Sequence, residues 1–406
     1  MMRRIGLVAL VCCGFVALLY GQRLVRLDGE GAGRSYGGGL PRLSPNGQVV
    51  LTDIRSAITD KPHPAMWTVR DRWWYLKRDG GLTRDPREAI WGYARDVSYD
   101  GSVVLGNELY GNPRDPSLRP FRWRRGVGIE YLPFPPGTYR AVGLKVSWDG
   151  EWVAGAAAFW RGGYEEWWTV RWSPTGQTEL IDLMGRVQGF SASGREILDA
   201  CNYFQSAFWR AGWGTRCSLP FSDFEGLSGD GRVAIGVGVH PEWSGFARWF
   251  PDEDRYEPVP ANMRFSPFKH RVSFDGRVML LGGSEYDRDW NFVRDLVLFW
   301  EEGRGLTDLT EGYPQFFRNR PARFGYGLSG DGRYILLGAE GLGDVILDRF
   351  GIQGDVDGDD CVDDADLLMV LFRFGRRYGP EDVNVDGIVD EQDLLMVLSR
   401  FGECVR

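Results

Sequence analysis

Residues 328–338 read LSGDGRYILLG, and this short phrase indicates the fold because it recurs along most of the chain. Seven such phrases occur, and their turn glycines are Gly47, Gly101, Gly150, Gly194, Gly231, Gly276 and Gly332. An Asp-Gly or Asn-Gly pair between two apolar runs indicates a hairpin, because glycine accepts the positive φ of a tight turn. Each phrase therefore predicts a strand, a turn and a second strand.

Two more apolar runs separate successive phrases. One is aromatic, such as Phe121-Arg122-Trp123, and the other is aliphatic, such as Leu180-Ile181-Asp182-Leu183. No helical periodicity occurs in this part of the chain. Four strands in a period of about 48 residues are typical of a propeller blade. The sequence therefore predicts an all-β domain over residues 22–351, folded as a seven-bladed β-propeller.

The two ends of the repeat array are each incomplete. The last phrase is followed by one strand, residues 345–350, and an unassigned strand with the sequence RLVRL precedes the first phrase at residues 23–27. A blade built from both ends of the chain removes two unpaired sheet edges. We therefore expect Leu24 to Leu27 to close the propeller by completing the seventh blade.

The C-terminal segment contains two copies of a 12-residue acidic loop, DVDGDDCVDDAD at residues 355–366 and DVNVDGIVDEQD at residues 382–393. A calcium ion takes six to eight oxygen ligands from loop positions 1, 3, 5, 7, 9 and 12. The predicted side-chain ligands are Asp355, Asp357, Asp359, Asp363 and Asp366 in the first loop, and Asp382, Asn384, Asp386, Asp390 and Asp393 in the second. Cys361 and Ile388 supply the backbone carbonyls. We therefore predict two bound Ca²⁺ ions.

An amphipathic stretch follows each loop, DLLMVLFRFG from Asp366 and DLLMVLSRFG from Asp393. Each predicts a short helix with one apolar face, which Gly375 or Gly402 ends. Neither half can bury its apolar face alone, so we expect the two to pack around a pseudo-twofold axis. Residues 352–406 are therefore expected to form a small α-helical calcium-binding domain.

The tandem loops resemble the dockerin type I domain over residues 354–404. The resemblance implies a cohesin-like or cell-surface partner, bound at loop positions 10 and 11, which here are Asp364, Ala365, Glu391 and Gln392. Asp360 departs from the family pattern, which has glycine at position 6. The seven phrases resemble HAF-family extracellular repeats and, more loosely, TolB-like and WD-repeat propellers, a likeness that says little about function.

The N-terminal 21 residues predict export. A basic start precedes an apolar run, as in a secretory signal peptide with cleavage near Gly21-Gln22. A retained membrane anchor is the alternative. In an oxidising compartment Cys361 and Cys404, at opposite ends of the calcium domain, are expected to form a disulfide. Pairing of Cys201 with Cys217 stays open, because the proposed strand order places them at opposite ends of a blade.

Charge is concentrated at the C-terminus. Residues 352–406 contain 14 Asp and Glu against 5 Lys and Arg, while residues 22–351 carry only −1 of the total charge of −8. This nearly neutral propeller has no basic stripe for nucleic acid. We expect a secreted protein that binds no nucleic acid and, after signal cleavage, no membrane.

Candidate catalytic motifs are sparse. The string GRSYG at residues 33–37 fits a nucleophile motif but lies in a glycine-rich connector rather than between a strand and a helix. His63, His240 and His270 are isolated from one another. Adjacent acids suited to glycoside hydrolysis are Glu165-Glu166, Asp252-Glu253-Asp254 and Glu301-Glu302, although solvated loop charges are the simpler interpretation.

Aromatic residues are abundant, with 17 Trp, 16 Tyr and 23 Phe. Those in the repeat are expected in the blade cores. Others lie near inserted loops, where rings can stack on sugars: Trp73-Trp74-Tyr75, Trp160 with Tyr164, Trp167-Trp168, Trp213 and Trp243.

Three functional hypotheses follow. The first is a secreted, non-catalytic propeller that binds glycan or protein and is attached to a partner through its calcium domain. The second is a polysaccharide-degrading enzyme, a glycoside hydrolase or lyase, and the third is a structural or adhesive surface protein.

Overall fold

The structure is a computed structural model that describes residues 23–27, 40–68, 73–112, 115–202, 205–217, 219, 221–240, 243–259, 264–350, 352–357, 361–384 and 386–404. The expected signal peptide and the GRSYG string lie outside these residues. The strands form seven antiparallel sheets, one for each phrase, of which six have four strands and one has five. The fold is thus an all-β, seven-bladed propeller, as the repeat predicts.

Strand β1 (Arg23–Arg26) comes first along the chain and belongs to the last blade. Blades 1 to 3 contain β2 (Arg42–Leu43), β3 (Val49–Arg55), β4 (Pro62–Thr68), β5 (Trp74–Leu76) and β6 (Leu82–Thr83); β7 (Gly92–Val97), β8 (Val103–Asn112), β9 (Asp115–Arg124) and β10 (Gly128–Tyr131); and β11 (Arg140–Val146), β12 (Val153–Arg161), β13 (Tyr164–Trp172) and β14 (Thr178–Ile181).

Blades 4 to 7 repeat this pattern. They contain β15 (Gly189–Phe190), β16 (Glu196–Asn202), β17 (Gln205–Arg210) and β18 (Gly214–Cys217); β19 (Phe221–Leu227), β20 (Ala234–His240), β21 (Trp243–Phe250) and β22 (Arg255–Pro258); β23 (Arg264–Val272), β24 (Val278–Tyr286), β25 (Phe292–Glu301) and β26 (Gly305–Asp308); and β27 (Ala322–Leu328), β28 (Tyr334–Ala339) and β29 (Gly343–Asp348) with β1.

Two four-residue helices, α1 (Leu309–Gly312) and α2 (Pro314–Phe317), lie in the connection between blades 6 and 7. They are too short to produce helical periodicity, so the sequence pattern did not predict them. Leu309 and Phe317 are fully buried in the core that blades 6 and 7 share. The two helices thus cover the joint between these blades.

The serine of each phrase closes its own turn. In blade 2 the Val103 N–H donates to Ser98 Oγ at 2.9 Å, and the Ser98 hydroxyl donates to Asp100 Oδ1 at 3.0 Å. The equivalent serines, all nearly inaccessible to solvent, are Ser44, Ser98, Ser147, Ser191, Ser228, Ser273 and Ser329. The phrase recurs because each blade needs a turn whose buried polar groups satisfy one another.

A closed ring of backbone hydrogen bonds joins the seven turns around the propeller axis, with N···O distances of 2.6 to 3.2 Å. The bonds run from Asn46 N to Tyr99 O, Tyr99 N to Trp148 O, Trp148 N to Ala192 O, Ala192 N to Gly229 O, Asp230 N to Phe274 O, Phe274 N to Gly330 O and Gly330 N to Pro45 O. Every blade is thereby joined to the next. We call this end of the propeller the turn face and the opposite end, where second and third strands of each blade connect, the hairpin face.

Strand β1 closes the propeller as expected. It pairs antiparallel with β29, with Val25 opposite Ile346, and forms the outer strand of blade 7. Val25 and the buried Leu27 pack with Val50 and Ile346, so that side chains from blades 1 and 7 share one core. This confirms the prediction that both ends of the array build the last blade.

The C-terminal segment contains two ten-residue helices, α3 (Asp364–Arg373) and α4 (Glu391–Arg400). Each begins two residues earlier than the apolar pattern indicates, because an aspartate, Asp363 or Asp390, caps it through a reciprocal capping box. Gly375 and Gly402 follow the helices with φ of 76° and 84°. They provide the predicted stops.

The two halves of this segment pack together through a small valine core. Its buried members are Val356, Val362, Val370, Val389 and Val397. Backbone bonds repeat with approximate twofold symmetry, since Gly402 N donates to Val362 O and Gly375 N donates to Val389 O, each at 2.8 Å. We call residues 352–404 the C-terminal module.

Two disulfides are present. Cys361–Cys404 clasps the ends of the C-terminal module, as predicted, with the Cα atoms 4.1 Å apart. Cys201–Cys217 joins β16 to β18, with the Cα atoms 5.9 Å apart. The expectation that these two cysteines lie at opposite ends of a blade was wrong, because the second and fourth strands run in the same direction and end at the same face. Disulfides are typical of oxidising environments.

Candidate functional site

The first acidic loop brings three carboxylates together. Oxygen atoms of Asp355, Asp357 and Asp366 all lie within 4.8 Å of one another. Asp366 also holds the loop backbone, because its Oδ1 accepts from Val356 N at 2.6 Å and its Oδ2 accepts from Asp363 N at 2.8 Å. Position 5, Asp359, and position 6, Asp360, lie outside the described residues. Cys361, at position 7, is in the disulfide.

The second acidic loop is ordered by hydrogen bonds to its own backbone. Asp382 Oδ2 accepts from Gly387 N at 2.8 Å, Asn384 Oδ1 accepts from Asp386 N at 2.8 Å, and Asp393 Oδ1 accepts from Asn384 N at 2.9 Å. Gly387, at position 6, has a φ of 99°, which suits glycine. Asp382, Asn384 and Asp393 thus bond the backbone of one short turn, which also contains Ile388, whereas Asp390 caps α4. Within the described residues, the close group of three carboxylates is that of the first loop.

The carboxylates at positions 1 and 12 of both loops are almost fully buried, with Asp355 3%, Asp366 0%, Asp382 1% and Asp393 0% exposed. Burial raises the pKa of Asp382 to about 7 and raises the pKa of Asp393. Ionised carboxylates are costly to bury without a cation or hydrogen bonds. The oxygen-only donor set of both loops fits a hard cation such as Ca²⁺.

The predicted partner-binding residues Asp364, Ala365, Glu391 and Gln392 lie exposed in the first turns of α3 and α4. Apolar side chains continue this exposed surface along both helices at matching positions. They are Leu368, Leu371 and Phe374 on or after α3, and Leu395, Leu398 and Phe401 on or after α4. The module therefore presents two similar apolar strips next to its acidic loops.

The C-terminal module contacts the propeller on the turn face, at the axis. Tyr378, between α3 and the second loop, packs against Tyr99, Trp148 and Phe274, with ring centroids 4.6, 5.2 and 6.0 Å away. These three rings occupy the third position of their phrases, directly after the serine, in blades 2, 3 and 6. The Tyr99 hydroxyl also donates to Asp382 Oδ2 at 2.8 Å. Burial, followed by the charge of Asp382, raises the pKa of Tyr99.

A cleft of about 1190 Å³ lies beside this contact, between blades 1, 2 and 7 and the C-terminal module. Its lining includes Trp74, Arg125 and Arg333 from the propeller and Asp355, Asp382 and Arg400 from the module. A smaller cavity of about 120 Å³ lies along the axis, lined by Arg42, Asp96, Lys145, Arg271 and Trp148 among others. Trp148 lines this axial cavity and also contacts the Tyr378 ring.

Exposed aromatic rings cluster at the hairpin face of blade 3. Trp160 and Tyr164, on the β12–β13 hairpin, are 65% and 63% exposed, and Tyr139 packs edge-on against Trp160 at 6.2 Å. Glu165 accepts from the Tyr139 hydroxyl, from Arg140 at 3.0 Å and from Trp167 Nε1 at 3.2 Å. These bonds, that from Tyr139 above all, lower the pKa of Glu165, so the carboxylate stays ionised and fixes the surrounding side chains.

The other predicted aromatic positions are distributed differently. Trp213 is 72% exposed but lies on the turn face, where its ring stacks on Arg210 at 4.5 Å. Trp168 packs on Phe159 at 5.6 Å, and Trp73 packs against the core shared by blades 1 and 7. The Trp243 side chain lies outside the described part of the chain.

The predicted acidic pairs are engaged by arginines. Glu166 pairs with Arg161, Asp252 with Arg210, Asp254 with Arg216 and Glu302 with Arg248. Further ion pairs are Glu165–Arg140, Glu253–Arg255, Glu301–Arg349, Glu301–Arg304 and Glu302–Arg277. The Arg216 hydrogen bond lowers the pKa of Asp254. A general acid requires a raised pKa, so neither Glu165 nor Asp254 suits that role.

The histidines have structural contacts. His63 is buried, with Nδ1 2.7 Å from the carbonyl of Ile90 and Nε2 2.7 Å from the Thr59 hydroxyl. His270 is buried edge-on against Phe246 at 5.0 Å. The His240 side chain is not among those described. Within the described part of the chain, no helix is long and apolar enough to cross a membrane.

This architecture defines a seven-bladed propeller followed by a two-helix acidic module. No family model and no curated protein matches the chain, so the dockerin, HAF, TolB-like and WD-repeat resemblances remain predictions. Among solved structures, the chain is similar to the crystal structure of oligogalacturonate lyase from Vibrio parahaemolyticus. The two share 12% sequence identity and a TM-score of 0.50, over 80% of this chain and 93% of that one. At this identity the likeness shows the fold alone.

Sequence reasoning missed the contact between the module and the propeller. A signal for it exists in the third phrase position, which is aromatic at Tyr99, Trp148 and Phe274 and is Pro, Ala or Gly in the other four phrases. The three large rings could have been identified as residues that face a common partner at the axis. That Tyr378 is the partner follows only from the folded chain.

Proposed function

We propose that this protein is an exported, non-catalytic carbohydrate-binding propeller that is attached to a partner through its calcium-binding C-terminal module. The blade 3 hairpin is the observation that carries the proposal. Its rings project from the hairpin face, on the opposite side from the module. Ligand binding and attachment would therefore use opposite ends of the molecule.

The chemistry of the hairpin fits a polysaccharide. Soluble proteins rarely leave clustered aromatic side chains exposed without a binding role. Flat rings at Trp160, Tyr164 and Tyr139 offer apolar surface to the faces of sugar rings, while Arg140 and Glu165 offer a donor and an acceptor to sugar hydroxyls. Since Glu165 already orders the neighbouring side chains, the surface is preorganised.

The two acidic loops would hold the Ca²⁺ ions. The predicted ligands of the first are Asp355, Asp357, Asp359, Asp363, Asp366 and the Cys361 carbonyl; those of the second are Asp382, Asn384, Asp386, Asp390, Asp393 and the Ile388 carbonyl. Burial of four of these carboxylates supports the proposal, because a bound cation offsets their charge. Bound Ca²⁺ would fix the loops and thereby the first turns of α3 and α4.

The partner would bind the exposed surface of α3 and α4. The resemblance to dockerins implies a cohesin-like protein, and the matching apolar strips beside Asp364-Ala365 and Glu391-Gln392 support a protein partner. Export is supported by the N-terminal sequence and by the two disulfides, which persist in oxidising compartments.

Binding of a polysaccharide panel to the full-length protein tests this function, with Trp160→Ala as the test variant and Trp213→Ala as the control. Both substitutions remove an exposed tryptophan, but Trp213 lies on the turn face. We expect Trp160→Ala to weaken binding by about tenfold or more, or about 1.4 kcal/mol, and Trp213→Ala to leave binding unchanged. Affinity electrophoresis in polysaccharide gels measures both.

Two results would contradict the proposal. The first is the absence of polysaccharide binding, or equal losses in the two variants. The second is release of new reducing ends or unsaturated sugars from any polysaccharide of the panel, which would favour the enzyme alternative.

A further inference from the structure

The second acidic loop is in direct contact with the propeller through its first ligand residue. Asp382 Oδ2 accepts two hydrogen bonds, from Gly387 N within the loop and from the Tyr99 hydroxyl of blade 2, each at 2.8 Å. Asp382 Oδ1 accepts a weaker bond from Asp386 N at 3.1 Å. Both oxygens of the carboxylate thus accept from the loop backbone, and Oδ2 is the oxygen that also links the loop to the propeller.

Tyr99 is itself held rigidly. It is 5% exposed, its N–H and carbonyl both belong to the axial hydrogen-bond ring, and its ring stacks on Trp148 at 5.6 Å. A hydroxyl with one proton can donate to only one acceptor. Its hydrogen bond therefore serves the second loop and cannot also orient the first.

Tyr378 contacts both the second loop and the aromatic rings at the propeller axis. Its backbone N–H donates to Gly387 O at 3.3 Å, and its ring lies among Tyr99, Trp148 and Phe274. A Cβ atom added to Gly387 would lie 3.2 Å from the Tyr378 ring and 3.7 Å from the Tyr99 ring. The turn of the second loop is therefore packed directly against both tyrosines.

We propose that Tyr99 is a positioning residue for the second calcium site, so that Ca²⁺ binding at this loop and docking of the module on the turn face stabilise each other. This inference rests on the proposed calcium binding. Outer partners that orient a ligand carboxylate commonly change metal affinity by about 10- to 100-fold. Because coupling between two equilibria is reciprocal, Ca²⁺ must strengthen docking by the same factor by which docking strengthens Ca²⁺ binding.

Calorimetric Ca²⁺ titration of the full-length protein tests the coupling. Asp355→Asn and Asp382→Asn assign the two binding steps to their loops. We expect Tyr99→Phe to weaken the step of the second loop by about 10- to 100-fold while the step of the first loop is retained. Tyr131→Phe, in the same blade but on its outer strand, is the matched control and should bind as the native protein does.

Hydrogen exchange provides an independent measure of docking. We expect Ca²⁺ to slow exchange in peptides that cover residues 97–101 and 376–384 of the native protein, and Tyr99→Phe to abolish this protection. If Tyr99→Phe does not fold, Tyr378→Asn replaces it, because asparagine tolerates the φ of 58° at this position while removing the ring. The same two losses are expected.

The outcomes separate the two proposals. Native Ca²⁺ affinity of the second loop in both tyrosine variants would overturn the coupling but leave calcium binding intact. A native protein that binds no Ca²⁺ would overturn both. Equal weakening of the two loops would also contradict the assignment of Tyr99, because its hydroxyl orients one loop only.

Discussion

At the scale of single residues, Asp53 is a buried carboxyl group whose protonation makes the stability of the propeller depend on pH. It lies on β3, 4% exposed, and its Oδ1 accepts from Ala94 N of blade 2 at 2.5 Å. Burial raises its pKa to about 7, although the Ala94 N–H and the charge of Arg95 oppose the shift. At the same repeat position, blade 2 has Asn107, which exchanges two hydrogen bonds with the backbone of Gly143.

Asp53→Asn should stabilise the propeller at neutral pH. The unfolded carboxyl loses its proton near pH 3.8 and the folded one near pH 7, so the unfolded state binds fewer protons between these values and native stability falls as pH rises through this window. Asparagine does not titrate. We expect the variant to be more stable at pH 8 by about 1–4 kcal/mol and this advantage to shrink toward pH 4, measured by urea denaturation.

The exposed Asp289→Asn is the control for this pH series. It should leave the stability difference from the native protein near zero at every pH. A constant difference between Asp53→Asn and the native protein from pH 4 to pH 8 would show that Asp53 does not titrate in this range.

At the scale of elements, the phrase turns join the blades as well as reversing the chain. A Cβ atom on Gly101 would lie 2.5 Å from Val49 Cγ2 of blade 1, and the φ of Gly101 is 75°. Gly126 has the same φ of 75°, but a Cβ atom there would meet no atom within 4 Å. Gly101 is therefore constrained both by its left-handed turn conformation and by the close approach of blade 1. Gly126 is constrained by the turn conformation alone.

Gly101→Ala should therefore destabilise the protein more than Gly126→Ala does. Both substitutions place alanine in the left-handed conformation, which lowers the free energy of unfolding. Gly101→Ala also forces a methyl group into Val49, which destabilises the protein by about a further 1–3 kcal/mol. Thermal unfolding of the two variants measures the difference. Equal losses would mean that the turn conformation alone selects glycine at this position.

The same elements explain what the sequence could and could not predict. The turn and the strands beside it form a local pattern that occurs seven times, so the blade number could be predicted even where one copy is irregular. The single closing strand could be predicted because each end of the array lacks part of a blade. The four-residue helix α1 has no period of its own to detect. Cys201 and Cys217 were expected at opposite ends of a blade, but the second and fourth strands of a blade run in the same direction and end at the same face. The contact of Tyr378 with Tyr99 depends on where two distant segments meet, which no local pattern encodes.

At the scale of the whole molecule, one outer strand completes the propeller. Val25 lies opposite Ile346, and Leu27 N donates to Asp344 O at 3.1 Å. Because hydrogen-bonded residues alternate along an antiparallel pair, the N–H of Val25 also points at β29, whereas that of Arg26 points away. A proline at position 25 would therefore remove a hydrogen bond between β1 and β29, whereas a proline at position 26 would not.

Val25→Pro should lower the melting temperature more than Arg26→Pro, because it removes a hydrogen bond of the closing strand as well as a packed side chain. It should also increase aggregation on heating, since β29 then presents an unpaired edge. Differential scanning calorimetry and light scattering measure the two effects. Identical melting and scattering of the two variants would argue against β1 as the strand that seals blade 7.

The closing strand also sets the order in which the molecule can form. Because synthesis proceeds from the N-terminus, β1 is made before every other strand of the propeller, whereas its partner β29 is made last. Pairings between such distant segments form slowly, because the entropy of closing a long loop must be paid first. We therefore expect β1 to stay unpaired until β29 has been synthesised, so that the ring becomes continuous late in folding.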